Sequence, residues 1–314
     1  MPENIEMRAA FGAELERLMA ADERIVLVDA DLSKANGVNK IHQRSPERAF
    51  NVGVAEANMA SIAAGLASYG FIPFITTFTP FATRRICDQV TISITYAKRN
   101  VKIVGTDPGV AAELNGGTHM SFEDVGVMRS IPGMVIFEPV DAVQVTKALP
   151  KLVAYDGPVY MRLFRKLSPT VFTDDYEFDL FKADLMREGK DITFVGWGPA
   201  ILDALKAAEK LAAEGISAEV VDIRSLIPLD MDTILRSVAK TGKCVVVSQA
   251  VHIGSFTGEI ASTIMEKAFD ELDAPVLRVG AKNGIAPQSH ILEAAFLPNA
   301  NDIIAAAKKF YEAW

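Results

Sequence analysis

The sequence of 314 residues is long enough for two domains, since globular domains commonly span about 150 residues. Apolar residues make up 50% and charged residues 23%, an ordinary globular composition, and the formal net charge of −8 disfavours a nucleic-acid or anionic-membrane partner. Two cysteines and four histidines, without metal-ligand spacing, disfavour a zinc or iron–sulfur centre.

Targeting signals are not evident in the sequence. The first residues lack the basic start and apolar run of a signal peptide, and no apolar run reaches the roughly 18 residues of a membrane span. We therefore expect a cytoplasmic protein, where cysteines stay reduced.

Short β-branched runs alternate with segments of helical period in the first half of the chain. This alternation predicts an α/β fold with largely parallel sheets. The predicted helices span 4–20, 57–68, 80–98 and 142–154, and the predicted strands span 24–29, 49–53, 71–77, 101–106, 134–137 and 159–163.

The pattern stops between 167 and 188, where Pro169 and a polar cluster interrupt any period. It resumes with predicted strands over 192–195, 218–222, 244–248 and 276–279, and helices over 200–213, 231–239, 256–269 and 303–311. The sequence thus predicts a first domain over 1–170, a linker over 171–189 and a second α/β domain over 190–314.

Ligands of parallel sheets bind beyond the carboxyl ends of the strands. Three strand-to-helix transitions are therefore candidate ligand-binding segments, at 53–58, 107–119 and 196–199. In the first of them, Glu56 either complements the positive end of a helix dipole or serves proton chemistry in a poorly solvated cleft. Its spacing alone does not separate the two.

Several motifs occur in a specific order along the chain. They are Val52-Gly53-Val54-Ala55-Glu56, Phe78-Thr79-Pro80-Phe81, Gly116-Gly117-Thr118-His119, Ile131-Pro132-Gly133-Met134 and Gly157-Pro158 leading to Arg165. This set resembles the pyrimidine-binding domain of transketolases, and the second domain is similar to their C-terminal domain. The whole chain resembles the C-terminal half of a transketolase, supplied as a separate subunit.

The resemblance implies a site for thiamine diphosphate. Glu56 is expected to hydrogen-bond a ring nitrogen of the cofactor's aminopyrimidine and to take part in catalysis, Phe81 to stack on that ring, and Phe78 to line the same pocket. Arg84 stands where the family commonly has a tyrosine and is predicted to contact the cofactor. On spacing alone, the phenylalanine pair fits core packing equally well.

Substrate contacts are also implied by the resemblance. His119 is expected to reach substrate hydroxyls and to shuttle protons, although a loop histidine is commonly only solvated. Asn115 is predicted to contact substrate where the family usually has an aspartate. Arg8 and Arg165 match the two arginines that grip a sugar phosphate.

Two further phosphate-binding positions depart from the family. Ala35 stands at the serine position and Thr106 at the histidine position. One explanation is compensation by Ser33, Lys34 or Arg162. The other is an unusual anionic ketose, such as a branched sugar phosphate or a sulfonated sugar, in place of a standard pentose phosphate.

No Gly-Asp-Gly occurs in the chain, although this motif opens the family's magnesium and diphosphate site. No metal ligands are therefore predicted here. We expect a partner subunit to carry the diphosphate and Mg²⁺, in a dimer of heterodimers. The implied activity, dependent on that partner, is transfer of a two-carbon ketol unit from a ketose to an aldose.

Two other functions stay open. The beta subunit of a 2-oxo-acid dehydrogenase E1 component has the same domain order and a matching glutamate. A non-catalytic nucleotide-binding module would use Gly196-Trp197-Gly198-Pro199, although Ile201 stands where a third glycine would be needed.

Overall fold

A computed structural model describes residues 4–112 and 115–312 of the chain. The chain divides into two compact units, Met1–Leu180 and Phe181–Trp314. Each unit has a largely parallel sheet with helices between its strands, which confirms the predicted α/β class.

The first unit is organised by parallel strands that neighbour one another in the order β6, β7, β5, β4, β2, β3. The strands β2, β4, β5 and β7 are buried along their whole length, as expected for parallel strands covered on both faces. The strand bounds are β1 Asn4–Glu6, β2 Ile25–Asp29, β3 Ala49–Asn51, β4 Ile72–Phe78, β5 Lys102–Thr106, β6 Val135–Phe137, β7 Val159–Leu163 and β8 Leu167–Pro169.

Helices of this unit connect consecutive strands. They are α1 Met7–Ala21, α2 Asn39–Arg44, α3 Glu56–Ser68, α4 Thr79–Ala82, α5 Asp124–Arg129 and α6 Ala142–Ala154. The predicted start of the first helix at residue 4 is wrong, because Asn4–Glu6 pairs antiparallel with Leu167–Pro169. This pairing also corrects the irregular structure predicted from residue 167.

The single helix predicted over 80–98 is wrong. It is replaced by α4, a 3-10 turn at Arg84–Ile86 and a π-helix at Gln89–Tyr96. Threonine hydroxyls donate to nearby carbonyls along this stretch, from Thr83 to Thr79 O at 2.7 Å and from Thr95 to Val90 O at 2.9 Å. Such bonds compete with the regular backbone ladder, which explains the break.

The second unit has the strand order β14, β13, β10, β11, β9, in which only β9 is antiparallel to its neighbour. Its strands are β9 Asp184–Arg187, β10 Ile192–Gly196, β11 Ala218–Asp222, β12 Ser225–Ile227, β13 Cys244–Val251 and β14 Leu277–Ala281. Its helices are α7 Ala200–Ala213, α8 Met231–Thr241, α9 Phe256–Ala268, α10 His290–Phe296 and α11 Ala300–Lys308.

Strand β9 corrects the prediction of irregular structure up to residue 188. Its residues have no strong apolar alternation, and they form a strand because β11 offers an unpaired edge. Within the described residues, no helix has the length and apolar character needed to span a membrane.

Candidate active site

The predicted site residues follow the carboxyl ends of neighbouring strands. The segment after β3 carries Glu56, β4 ends at Phe78, and the segments after β5 and β7 carry His119 and Arg165. Because these strands are parallel and adjacent, their ends lie at the same edge of the sheet.

Glu56 is the first residue of α3 and is only 4% exposed. The turn before it is tight, since Gly53 has a φ of 74° and its N–H donates to Asn51 Oδ1 at 2.9 Å. The Glu56 carboxylate does not face water. Its Oε1 accepts a hydrogen bond of 2.6 Å from Arg85 Nη1.

Three aromatic rings pack together beside this carboxylate. The Phe78 and Phe81 centroids are 6.1 Å apart, and the His119 ring lies edge-on to both, at 5.7 Å and 5.2 Å. His119 Nδ1 is 2.7 Å from the Thr118 hydroxyl, which fixes the orientation of the imidazole.

Arg85 joins the carboxylate to the rings, and sequence reasoning missed it. Its guanidinium carbon lies 3.7 Å from the Phe81 ring centroid while it donates to Glu56. Arg84, the residue predicted to contact the cofactor, instead donates to Glu123 on a partly exposed surface. A continuous helix gives no reason to prefer Arg85. The broken backbone after Phe81 brings it to Glu56, although 45% of its side chain stays exposed.

Glu56, Phe78, Phe81, Arg85 and His119 form what we call the aromatic–carboxylate cluster. It combines the buried carboxylate of Glu56, a hydrogen-bond acceptor, with the face of the Phe81 ring, over which the planar guanidinium of Arg85 lies. These features suit a planar heterocycle that donates a hydrogen bond, so the residues present fit the aminopyrimidine of thiamine diphosphate.

A second feature, which we call the arginine cavity, lies at the ends of β2 and β7. It encloses about 560 Å³ and is lined by Arg8, Asp31, Leu32, Ser33, Lys34, Ala35 and Arg165. The structure thus places Arg8 and Arg165 together. The β1–β8 pairing contributes, because it joins the residues just before Arg8 to those just after Arg165.

Both arginines already have carboxylate partners. Arg8 Nε and Nη2 donate to Glu6 at 2.8 Å and 3.2 Å, and its Nη1 donates to Ala35 O at 2.9 Å. Arg165 Nη1 lies 3.1 Å from Asp107 Oδ2. The hydrogen bonds from Arg8 lower the pKa of Glu6, and those same bonds raise the pKa of Arg8.

Asn115 is exposed, and its backbone N–H donates to Ala112 O at 3.3 Å. Its own carbonyl accepts from the Thr118 hydroxyl at 3.4 Å. Among residues 4–112 and 115–312, no group of three or more His, Cys, Asp or Glu side chains is arranged to hold a metal.

Comparison with known proteins identifies the family. Residues 3–170 match the pyrimidine binding domain of transketolase, and residues 181–303 match the transketolase C-terminal domain. The chain belongs to the transketolase family.

Relatives cover nearly the whole chain. A 6-deoxy-6-sulfo-D-fructose transketolase subunit of Clostridium sp. (strain MSTE9) is 47% identical over 93% of this chain and 90% of its own length. A pyruvate dehydrogenase E1 component subunit beta of Staphylococcus epidermidis (strain ATCC 35984) is 30% identical over 96% of both chains. A solved structure described as a split gene transketolase, inactive beta4 tetramer, is 37% identical over 99% of both chains, with a TM-score of 0.88.

Ala35 and Thr106, the two residues predicted to depart from the family's phosphate ligands, provide no side-chain hydrogen bond to the arginine cavity. Thr106 is fully buried, and its hydroxyl donates to Asn36 Oδ1 at 2.9 Å. Asn36 in turn lies 3.4 Å from Asp29, whose pKa is raised by burial. Ala35 offers only its backbone carbonyl, to Arg8. This buried network holds the loop after β2, and Thr106 acts within it.

Arg162, one of the residues predicted to compensate for the missing phosphate ligands, does not line the arginine cavity. It is buried and bonded to Asp124 at 2.5 Å and 3.2 Å and to Glu138 at 2.7 Å. Burial alone would lower the pKa of Arg162, but the two carboxylates outweigh burial and raise it. Ser33 and Lys34, by contrast, line the arginine cavity.

Proposed function

We propose that this chain is the subunit of a two-polypeptide transketolase that binds the aminopyrimidine of thiamine diphosphate and the anionic end of a ketose. The reaction is transfer of a two-carbon ketol unit from that ketose to an aldose. The observation that carries the proposal is the aromatic–carboxylate cluster. In it, buried Glu56 accepts a hydrogen bond from Arg85, whose guanidinium lies over the Phe81 ring.

Within this cluster, Glu56 Oε1 would hydrogen-bond a ring nitrogen of the cofactor and exchange a proton with it. The carboxylate is only 4% exposed, which keeps competing water away from that contact. Phe81 and Phe78 orient the ring and exclude water. Arg85 must withdraw from Glu56 Oε1 when that oxygen serves a ligand. Thiamine diphosphate, when bound, supplies the electron sink that ketol transfer requires.

The substrate extends from the cluster to the arginine cavity. His119 and Asn115 contact the hydroxyls near the reacting carbons, and His119 moves protons there. Arg8 and Arg165 bind the far, anionic end, since guanidinium groups suit oxyanions. The name of the Clostridium relative supports a sulfonated ketose as the donor.

A second polypeptide completes the site in this proposal. It carries the cofactor diphosphate and Mg²⁺, and two copies of each subunit assemble together. The relative named as a transketolase subunit and the structure described as a split gene transketolase support this arrangement.

Reconstitution tests the proposal. The chain is co-expressed with its N-terminal partner, loaded with thiamine diphosphate and Mg²⁺, and given 6-deoxy-6-sulfo-D-fructose with a short aldose phosphate. We expect ketol transfer from the complex and none from either subunit alone. Turnover by the isolated chain, or no transfer from any anionic ketose, would contradict the proposal.

The E1 beta function is the second candidate, and the Staphylococcus relative is the observation that favours it. It predicts oxidation of a 2-oxo acid by the reconstituted complex with an artificial electron acceptor. We expect no such oxidation, because the relative at 47% identity is a transketolase subunit.

The nucleotide-binding module is disfavoured by the packing at 196–199. A side chain at Gly196 would meet Val247 O at 3.0 Å and Ile201 Cδ1 at 3.3 Å. Close packing at Gly196 and the φ of 57° at Gly198 therefore account for the two glycines of this turn.

A further inference from the structure

Charged side chains of both signs meet at the arginine cavity. Three cations and one carboxylate line it, and two further carboxylates form ion pairs with its arginines, so the formal charges of these six groups cancel. They are the cations Arg8, Lys34 and Arg165 and the carboxylates Glu6, Asp31 and Asp107.

Asp107 is a permanent part of this arrangement. Its side chain is 0% exposed and pairs with Arg165, so it cannot turn into water when a ligand enters. Its backbone is held as well, since its N–H donates to Leu163 O at 3.1 Å and its φ is 57°. A left-handed conformation is uncommon for a residue other than glycine and requires support from its surroundings.

Glu6 is held almost as firmly. Its two oxygens accept from Nε and Nη2 of Arg8, the planar fork that guanidinium groups prefer. Strand β1 fixes its backbone opposite Leu167. The hydrogen bonds from Arg8 lower the pKa of Glu6 most, burial opposes them, and the charge of Arg165 lowers it further, so the two pairs form one charge cluster.

The charge of a ligand decides how well it suits such a cavity. A sulfonate carries one negative charge spread over three oxygens. A phosphate monoester carries about −1.5 to −2 near neutral pH. The guanidinium N–H groups can donate hydrogen bonds to either anion. The second negative charge of a phosphate, however, is repelled by the carboxylates that already neutralise both arginines.

We propose that Glu6 and Asp107 determine specificity, by making the cavity accept a singly charged sulfonate in preference to a doubly charged phosphate at the end of the ketose. The inference rests on the proposed function, which places the anionic end of the substrate in this cavity. It deepens that function by assigning the preference to two acidic residues that touch the arginines.

Calorimetry on the assembled two-subunit complex tests this inference with a matched pair of ligands, 6-deoxy-6-sulfo-D-fructose and D-fructose 6-phosphate. We expect the wild-type complex to bind the sulfonate at least about fivefold more tightly. Glu6→Gln, at a partly exposed position, is expected to tighten phosphate binding and to lower this preference at least about threefold. Asp107→Asn is expected to act in the same direction.

Glu47→Gln is the control, because Glu47 is an exposed carboxylate paired with Arg48. It is expected to leave the preference unchanged. A wild-type preference for phosphate, failure of both ligands to bind, or an unchanged preference in both Glu6→Gln and Asp107→Asn would overturn the inference. Binding is read without turnover, so absence of ketol transfer would count against the proposed function alone.

Discussion

The aromatic–carboxylate cluster and the arginine cavity lie at the same edge of one sheet, yet they relate differently to their family. The cluster has the glutamate, the two phenylalanines and the histidine that transketolase resemblance implies. At the cavity, the resemblance predicts two phosphate-binding arginines, Arg8 and Arg165, but Ala35 and Thr106 stand where it predicts the other two phosphate ligands. Each arginine also pairs with a carboxylate.

This difference indicates that the residues proposed to bind the cofactor and those proposed to select the substrate are distinct. A cofactor common to a family requires the same acceptor and the same ring face in every member. The end of the substrate varies, and so do the residues that bind it. In the proposed function, the cluster therefore accounts for the cofactor, whereas the cavity accounts for the substrate.

The largest effect is expected from Glu56→Gln. Glutamine keeps the size and the hydrogen-bonding capacity but cannot exchange a proton, so turnover of the reconstituted complex should fall by about 10²–10⁴-fold. Circular dichroism and partner binding verify the fold. Glu123→Gln, which alters the carboxylate paired with Arg84, serves as the control. Turnover within a few-fold of wild type in Glu56→Gln would remove the cluster from catalysis.

Arg8→Met should weaken only the binding of the anionic end of the substrate. It removes charged hydrogen bonds, so KM for an anionic ketose should rise about 10- to 100-fold while kcat changes little. The matched test is a neutral ketose, for which KM should stay within about twofold. Arg44→Met, at an exposed ion pair with Glu16, is the control variant. Equal losses for charged and neutral ketoses would contradict the assignment of the cavity.

Lowering the pH should reduce the preference of the complex for a sulfonate over a phosphate. The second pKa of a phosphate ester is about 6, so below that pH the ligand becomes singly charged while a sulfonate does not change. The bonds from Arg8 lower the pKa of Glu6, which therefore stays ionised throughout this range. The ratio of kcat/KM values, sulfonate over phosphate, should fall several-fold from about pH 7.5 to 5.5. A constant ratio would show that ligand charge is not the discriminating property.

The smallest effect is expected from Arg84→Ala. Its ion pair with Glu123 is about half exposed, and such pairs contribute about 0.2–1 kcal/mol. The Kd for thiamine diphosphate, measured by titration of the complex, should stay within about twofold of the wild-type value. Arg85→Ala should change this Kd by a larger factor. A tenfold loss in Arg84→Ala would restore the sequence-based assignment of Arg84 to the cofactor.

The sequence by itself determined the α/β class, most strands and the residues of the cluster other than Arg85. Short runs rich in β-branched and apolar residues, such as β2, favour strands buried on both faces, and the ends of strands in a parallel sheet lie at one edge. Ordered motifs then placed Glu56, Phe81 and His119 at these ends.

Only the tertiary structure decided which groups meet. The pairings of β1 with β8 and of β9 with β11 join distant segments that have no strong local preference for strands. The break after Phe81 selects Arg85 over its neighbour as the partner of Glu56. Likewise, Asp107 pairs with Arg165 from a separate segment of the chain, whereas the pair of Glu6 with Arg8 is local. Local sequence fixes a residue's element, but side-chain contacts depend on how the elements are packed.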